Sequence, residues 1–473
     1  MGRRSRRDPV GPGDAVERTA VVIGASMAGL FAAAAMATHG WTVQVLERDD
    51  LSVAPEHRRG IPQDRQAHIL LHRGMVAIDQ LVPGFRAELL ARDAVPFDTG
   101  SMPWLGEYGW LDTEVPGWEV VSATRPLMDA VARDLVQALP GVSLVPRTRV
   151  TAIRATPEGW LVSTGPPEQG DAPDLSLSAR LVVDASGRSS RLDRWLPDLA
   201  DGDIEEVDAR VGYAGRLYQQ SGSLPLRTGV MVFGRAEDGA SGLALPVEGG
   251  RWMISASGLG ERRPPREAAG FESFVASLRD PAIIDLVDCL EPVSEVAVHR
   301  QTANRRHGWG RHRGWPPGLL VVGDALCSFN PIYGQGITVA ALQAEALGRW
   351  LGAHRRIDHR LQRQLRAITD LPWSIATSSD QRFTGAAGPS PAQRLSSGFT
   401  TRMGRLAAAG NARATRAFSD VYHLMASPTA FLHPALLLAA SRPLPTAPLP
   451  RPAVLDELTR VRREQPPAAR ADA

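Results

Sequence analysis

The stretch that decides the fold is residues 19–47, TAVVIGASMAGLFAAAAMATHGWTVQVLE. Residues 19–23 form a continuously apolar, β-branched run, which predicts a buried strand. Residues 29–39 are rich in alanine and predict a helix, and residues 42–46 predict a second strand. A strand, a helix and a strand in this order make one βαβ unit of a parallel sheet.

The turn between the first strand and the helix matches a dinucleotide-binding fingerprint. In that fingerprint the first glycine makes a tight turn, the second lets backbone approach the pyrophosphate, and the third lets the helix pack on the strand. Gly24 and Gly29 occupy the first and third positions, and Ser26 stands at the second, where its hydroxyl can donate to phosphate. Glu47 ends the second strand, where a carboxylate accepts hydrogen bonds from ribose hydroxyls.

Two later strands end in turns that suit the same kind of ligand. One strand ends at Asp184, followed by Gly187, and another leads into Gly323 and Asp324. A carboxylate just past a buried strand can bind a sugar hydroxyl. The segment 330–336, NPIYGQG, precedes a helix whose N-terminal N–H groups favour negative charge. We therefore expect the three turns to converge on one ligand.

Composition excludes several other classes of protein. The 473 residues are 43% apolar and 22% charged, as in a folded protein of several domains. With 53 basic and 51 acidic residues, no nucleic-acid partner is expected. Cys289 and Cys327 lack CxxC spacing, so we predict no metal site, and a cytoplasmic location. The chain has no lysine, which excludes a lysine Schiff base.

The rest of the chain predicts a mixed sheet followed by helices. Four strands are expected between residues 209 and 257, with a hairpin at 247–250, and a solvated turn is expected around Arg306. No stretch is long and apolar enough to predict membrane association. The predicted domains are a flexible tail, the two parts of a ligand-binding domain separated by a β-sheet substrate domain, and a C-terminal helical region with a tail: 1–18, 19–200, 201–298, 299–360 and 361–473.

These motifs resemble the FAD-dependent monooxygenases of the para-hydroxybenzoate hydroxylase fold, which carry a glycine fingerprint, an Asp-Gly turn and a Gly-Asp motif in the same order. Within that family the sequence is most similar to the actinomycete epoxidases of polyether polyketide biosynthesis. The stretches 58–63, 250–254 and 323–336 carry this similarity. Two positions depart from the pattern: Ser26 replaces a fingerprint glycine, and Gln66 stands where those epoxidases tend to have a histidine.

The resemblance implies an α/β fold: a Rossmann-like FAD-binding domain of the glutathione reductase and para-hydroxybenzoate hydroxylase type, an inserted mixed β-sheet substrate domain and a C-terminal helical region. It implies that a flavin C4a-hydroperoxide, formed from dioxygen, oxygenates an apolar secondary-metabolite substrate, with olefin epoxidation as the expected outcome. NAD(P)H would supply the electrons, directly or through a separate flavin reductase. The alternatives are an aromatic hydroxylase and a flavin-dependent reductase of polyprenyl chains. A flavin-dependent halogenase would need an active-site lysine.

The resemblance also implies roles for individual residues. Pro331, Gly334 and Gln335 would lie at the reacting end of the flavin, and Arg125 would reach the cofactor through its guanidinium. Arg59 and Gln63 would belong to a loop that covers it. The full set of expected cofactor contacts is Gly24, Ser26, Met27, Ala28, Gly29, Glu47, Arg48, Arg59, Gln63, Arg125, Val150, Asp184, Gly187, Gly323, Asp324, Gly334, Gly336 and Ile337.

Overall fold

A computed structural model of the protein describes residues 18–51, 57–58, 60–61, 63–165, 176–199, 203–235, 238–311, 314–384, 391–443 and 447–464. Arg59, residues 1–17 of the predicted tail and residues 465–473 lie outside the described residues. The described part of the chain forms 21 strands and 14 α-helices.

The strands are β1 (Thr19–Ile23), β2 (Thr42–Leu46), β3 (Val95–Asp98), β4 (Trp104–Gly106), β5 (Gly109–Trp110), β6 (Glu119–Ser122), β7 (Val142–Val145), β8 (Arg149–Thr156), β9 (Gly159–Gly165), β10 (Ser176–Ala179), β11 (Leu181–Asp184), β12 (Ile204–Val207), β13 (Val211–Gln220), β14 (Val230–Val232), β15 (Ala240–Val247), β16 (Arg251–Leu259), β17 (Leu290–Pro292), β18 (Ala297–His299), β19 (Asn304–His307), β20 (Leu319–Val321) and β21 (Cys327–Ser328). The helices are α1 (Met27–Ala37), α2 (His72–Leu81), α3 (Phe85–Ala91), α4 (Arg125–Gln137), α5 (Leu192–Trp195), α6 (Ala268–Ala276), α7 (Ala282–Val287), α8 (Gly336–Ala353), α9 (His359–Ala367), α10 (Asp370–Thr384), α11 (Pro391–Ala408), α12 (Ala412–Tyr422), α13 (Pro434–Ser441) and α14 (Ala453–Glu464).

A five-stranded parallel sheet is built from four strands of the first half of the chain and from β20. Its strand order is β20-β11-β1-β2-β7, and every pairing is parallel. The strands β1, β11 and β20 are almost entirely buried, which explains why they are apolar without alternation. The alanine-rich α1 packs closely on the sheet because Gly29 has no side chain; a Cβ there would overlap the carbonyl group of Gly24.

The middle of the chain forms a second, mixed sheet with the order β17-β13-β16-β15-β14-β4-β5. The four strands predicted here correspond to β13 to β16. The predicted hairpin joins β15 and β16, and both of its glycines, Gly249 and Gly250, have positive φ, of 71° and 66°. One face of this sheet carries α6 and α7, with Phe271 and Ile283 fully buried.

The C-terminal helices attach to both sheets. The helix α14 returns to the middle sheet, where Leu455 and Leu458 are buried against it. Its Thr459 and Arg462 donate hydrogen bonds to the buried carboxylate of Asp285, at 2.6 and 2.7 Å. The helices α11, α12 and α13 share a smaller apolar core of their own. None of the described helices has the length and apolar character needed to cross a membrane.

The prediction of a solvated turn around Arg306 is wrong. Arg306 lies in β19 with 7% of its surface exposed, and its guanidinium pairs with Glu205 at 2.9 Å and Asp370 at 2.7 Å. It also stacks over the Trp373 ring, 4.8 Å from the centroid. Glu205 and Asp370 lie far from Arg306 in the sequence. The local run of arginines therefore could not predict that Arg306 is buried in ion pairs.

Candidate functional site

The three predicted turns meet at one large cavity of about 1230 Å³. They meet because β20, β11 and β1 are adjacent parallel strands, so the loops that follow them leave the sheet at the same edge. The volume exceeds the roughly 300–1,000 Å³ of an ordinary ligand pocket. The predicted site residues that line it are Gly24, Ser26, Met27, Ala28, Glu47, Arg48, Gln63, Arg125, Val150, Gly187, Gly323, Asp324, Pro331, Gly334, Gln335, Gly336 and Ile337.

Of the predicted ligand contacts that the structure describes, two do not line this cavity. Gly29 faces the sheet, as described above. Asp184 is fully buried, and its carboxylate accepts hydrogen bonds from the Ser186 hydroxyl at 2.5 Å and the Ser190 hydroxyl at 2.6 Å. Burial raises the pKa of Asp184, and the serine hydroxyls oppose that rise. We therefore correct the direct role predicted for Asp184: it shapes the turn that carries Gly187.

The first turn presents an uncapped helix end to the cavity. Gly24 has φ of 103°, and a Cβ there would lie 2.7 Å from the Ala185 carbonyl oxygen, so only glycine fits. Ser26 occupies the N-cap position of α1 without capping it, and no acidic residue lies in the first turn. Its hydroxyl instead accepts a hydrogen bond from Arg125 at 3.0 Å. The positive end of the helix and a guanidinium therefore face the same point in the cavity.

Glu47 is held in place by three donors. Its carboxylate accepts from the backbone N–H groups of Ala25 at 2.8 Å and Asp49 at 3.0 Å, and it pairs with Arg58 at 2.7 Å. An ionised carboxylate has about four lone-pair sites, so one remains for a ligand hydroxyl. Arg58 belongs to a stretch that carries the family resemblance, but no pattern gave it a role, because only the fold brings its guanidinium, 8% exposed, against Glu47.

Asp324 and Arg188 lie in the loops that follow β20 and β11, and both line the same cavity. The Asp324 carboxylate is 4.0 Å from the Arg188 guanidinium, which also donates to the carbonyl oxygens of Ala303 and Phe329 at 2.9 Å each. The Asp324 side chain keeps 38% of its surface open to the deep cavity. The surrounding protein nevertheless removes water from the carboxylate, and this desolvation raises the pKa of Asp324. The positive charges of Arg188 and then Arg125 oppose the rise. Arg188 thus joins the second turn to the third.

The loop before α8 carries the predicted catalytic residues Pro331, Gly334 and Gln335. A 3₁₀ turn, Pro331–Tyr333, is followed by Gly334 with φ of 62°. The helix α8 then begins at Gly336 with no side-chain cap, so a second helix N-terminus opens on the same cavity. The side-chain amide oxygen of Gln335 is buried and has no hydrogen-bond partner among the described residues.

A buried polar network fixes this loop to α10. The Asp380 carboxylate accepts from the hydroxyl of Tyr333 at 2.7 Å and from the amides of Asn330 at 3.0 Å and Asn304 at 2.6 Å. Tyr213 donates to the Asn330 amide oxygen at 2.5 Å. Burial raises the pKa of Asp380, and its hydrogen bonds oppose this. The sequence offered no signal for Asp380, which lies fifty residues beyond Asn330.

Two histidines, the partly buried His68 and the fully buried His423, are neutral at physiological pH. Burial, followed by the charge of Arg125, lowers the pKa of His68 in the cavity wall from 6.5 to about 4. Burial, followed by the charges of His72 and Arg416, lowers that of His423 to about 3. The His423 ring accepts from the His72 backbone N–H through Nδ1 at 3.1 Å, which places its proton on Nε2, 3.2 Å from the Thr99 hydroxyl.

These histidines predict a loss of stability in acid. Each binds its proton more readily in the unfolded chain, so it contributes stability above pH 6.5 that is lost as the pH falls towards its folded pKa. In His423→Asn, the amide oxygen can still accept from His72, but the titration disappears. Between pH 6 and pH 4 the free energy of unfolding falls with pH in both proteins. We expect the slope to be smaller in the variant than in the wild type by roughly 1.4 kcal/mol per pH unit. Urea unfolding at several pH values measures it, and equal slopes would contradict the assignment.

A second, apolar pocket of about 400 Å³ adjoins the large cavity. It lies between the middle sheet and the C-terminal helices. Charged side chains such as Arg235 and Asp380 also line it, but most of its surface is apolar, and the larger apolar lining residues include Trp104, Leu111, Phe233, Ile332, Phe418 and Tyr422. Ile332 and Tyr422 line both spaces, so they mark the junction. No sequence pattern predicted this pocket.

The fold is shared with flavin-dependent enzymes of known structure. The structure aligns with a flavoprotein/dehydrogenase from Cytophaga hutchinsonii with a TM-score of 0.64 at 14% identity, covering 94% of this chain and 99% of that one. It aligns with PqsL, a probable FAD-dependent monooxygenase from Pseudomonas aeruginosa, with a TM-score of 0.58 at 17% identity, covering 78% and 98%. The flavin-dependent halogenase CmlS gives 0.60 at 16%, covering 83% and 72%. The chain therefore has the flavin-dependent monooxygenase fold, and the predicted fold class is confirmed.

Sequence comparison places the chain more narrowly. It is 31% identical over 347 residues to Protein Rv3254 of Mycobacterium tuberculosis (strain ATCC 25618 / H37Rv), covering 71% of this chain and 73% of that protein. The chain belongs to the same family as Protein Rv3254. No family model matches the sequence.

Proposed function

We propose that the protein is an FAD-dependent monooxygenase that inserts one atom of dioxygen into an apolar secondary-metabolite substrate, with NAD(P)H as the source of electrons. The observation that carries the proposal is the convergence of three loops, two of them leading into uncapped helix N-termini, on one cavity. A dinucleotide with a negatively charged pyrophosphate and an electron-accepting ring suits these two positive helix ends. The fold shared with PqsL supports the same class.

The residues present fit FAD from one end to the other. Glu47 has one lone-pair site left for a ribose hydroxyl, and Ser26 with Arg125 lies at the first helix end, where the pyrophosphate would bind. Asp324 would accept from a ribityl hydroxyl. The loop from Pro331 to Gly336 would hold the ring edge, with the N-terminus of α8 favouring negative charge there.

When bound and reduced, FAD supplies the electrons that activate dioxygen; the chain itself positions the reactants and excludes water. Asp380 fixes the loop at the ring end through Tyr333 and Asn330. His68 enters the cavity wall as a neutral ring, so it adds no unpaired charge to a dry site. The net reaction consumes the substrate, dioxygen, NAD(P)H and a proton, and it yields the oxygenated product, water and NAD(P)⁺.

Within this class we favour epoxidation of an olefin. The resemblance of the motifs at 58–63, 250–254 and 323–336 to those of polyether epoxidases supports it, and so does the apolar pocket beside the cavity. A neutral double bond needs no ionised form to be bound, whereas a phenolate would lose its hydration in such a pocket. We further propose that residues 19–200 and 299–360 bind FAD, residues 201–298 face the substrate, and residues 361–473 form the helical region and tail.

The test uses purified, FAD-loaded protein with NADPH, with and without a separate flavin reductase, under ¹⁸O₂. Farnesol, a neutral polyene alcohol, and 2-naphthol, a phenol, serve as candidate substrates. We expect farnesol to gain one ¹⁸O atom in a product that mild acid opens to a diol. Oxygenation of 2-naphthol alone would favour an aromatic hydroxylase. Farnesol that gains two hydrogens without oxygen uptake would favour a reductase, and protein that binds no flavin would overturn the proposal.

A further inference from the structure

We propose that the apolar pocket holds the body of the substrate and that the Tyr422 hydroxyl donates a hydrogen bond to an oxygen atom that the substrate carries. The substrate class is then an unsaturated, mostly apolar molecule with one hydroxyl or carbonyl oxygen. This inference rests on the proposed function, because it places the substrate next to the FAD cavity.

The pocket is built for a flat, apolar ligand. The ring planes of Trp104 and Phe233 lie within 14° of each other with centroids 6.1 Å apart, and the Tyr422 ring meets Trp104 edge-on at 5.0 Å. Aromatic walls of this kind bind unsaturated carbon through both area and ring geometry. The volume of about 400 Å³ lies in the range of pockets for drug-sized ligands.

One face of α12 forms a wall of the pocket. Thr415, Phe418, Ser419 and Tyr422 recur at helical spacing and all line it. At each end of this face lies a hydroxyl group that has no hydrogen-bond partner among the described residues. The buried Thr415 hydroxyl has no hydrogen-bond partner among the described residues. The Tyr422 hydroxyl makes no hydrogen bond there either.

Tyr422 stands at the junction of the two spaces. A Cβ built on Gly334 would lie 3.9 Å from the Tyr422 oxygen, so this hydroxyl reaches the loop at the reacting end of the large cavity. Burial raises the pKa of Tyr422 far above its usual range, so the group keeps its proton as a donor. The adjacent His423, tied to His72 and Thr99, fixes the end of α12. The hydroxyl opens on both cavities without a protein partner among the described residues, so a substrate oxygen can accept its hydrogen bond.

The test compares two probes that share an apolar body, 2-naphthol and naphthalene, in calorimetric titrations of the oxidised, FAD-loaded protein at pH 7. The quantity of interest is the dissociation constant of naphthalene divided by that of 2-naphthol. In Tyr422→Phe we expect this ratio to fall about fivefold, the effect of one neutral hydrogen bond. Tyr218→Phe is the matched control, because Tyr218 is buried in the middle sheet and lines neither cavity. Its ratio should equal that of the wild type.

A second variant locates the probes. Ser419→Trp fills the pocket from the same face of α12, and we expect it to weaken both probes at least tenfold while flavin absorbance is unchanged. A ratio that is the same in Tyr422→Phe and wild type, or full probe binding in Ser419→Trp, overturns the inference. Flavin absorbance is read in every sample. A preparation that takes up no FAD therefore counts against the proposed function, while one that takes up FAD but fails the probe tests counts against this inference alone.

Discussion

Replacement of Asp324 by alanine is expected to weaken FAD binding by roughly 10- to 100-fold, so that the purified variant emerges largely colourless. A hydrogen bond to a charged group contributes about 1.5–3 kcal/mol, which corresponds to this loss. The Asp324 carboxylate contributes little to the stability of the fold. The nearest charged group is Arg188 at 4.0 Å, and that guanidinium keeps its bonds to Ala303 and Phe329 without it. The variant should therefore fold, and its FAD dissociation constant can be measured by flavin fluorescence.

A matched control for Asp324→Ala lies at the same cavity. Asp50 also lines it, but it is exposed, so its carboxylate is well hydrated. Asp50→Ala removes the same charge, and we expect its FAD affinity to stay within about twofold of the wild type, since exposed charges contribute little. If Asp324→Ala stayed yellow and fully loaded, or if both variants lost FAD equally, the ribityl role of Asp324 would be wrong.

The sequence predicted those parts of the fold that depend on local pattern. The bounds of β1 and β2 agree with prediction: β1 is a nearly continuous buried run, and β2 alternates until its buried end, so each pattern stops where the turn begins. The helix α1 begins at Met27, two residues before the predicted start, and ends at Ala37, two residues before the predicted end. The hairpin at Gly249 was predicted because two adjacent glycines favour one turn geometry.

The candidate site was predictable only where a residue follows directly from a strand. Gly24, Glu47 and Asp324 each lie at or just beyond a strand end, so parallel pairing brings them to one cavity. Arg58 and Tyr422 reach the same cavity through packing between segments far apart in the chain. No local period encodes such contacts. For Asp184 the motif predicted too much. Its position suggested that it contacts the ligand, but its carboxylate accepts hydrogen bonds from the neighbouring Ser186 and Ser190.

Replacement of Gly334 by valine is expected to abolish turnover, with a loss of at least roughly 100-fold, the effect of misplacing a reacting group by about an ångström. Gly334 has φ of 62°, which a β-branched side chain adopts only with strain, and its Cβ would lie 3.3 Å from the Ile69 carbonyl oxygen. The γ-carbons of valine would extend this crowding at the loop that leads into α8. Stopped-flow and steady-state oxygen consumption with NADPH and farnesol measure the loss.

The Gly334→Val variant combines backbone strain with a loss of space in the cavity, so a control variant is needed that has the strain alone. Gly249 has nearly the same φ, 71°, but its nearest neighbour is an Arg251 side-chain nitrogen at 3.6 Å in an exposed hairpin. Gly249→Val therefore carries the same strain away from the cavity, and we expect it to keep turnover while its melting temperature falls about as much as that of Gly334→Val. If the two variants turned over at equal rates, backbone strain would account for the whole effect of Gly334→Val, and the loop would have no part in the site. If only Gly334→Val is inactive, with its FAD still bound, the space above the loop is needed by the reacting groups.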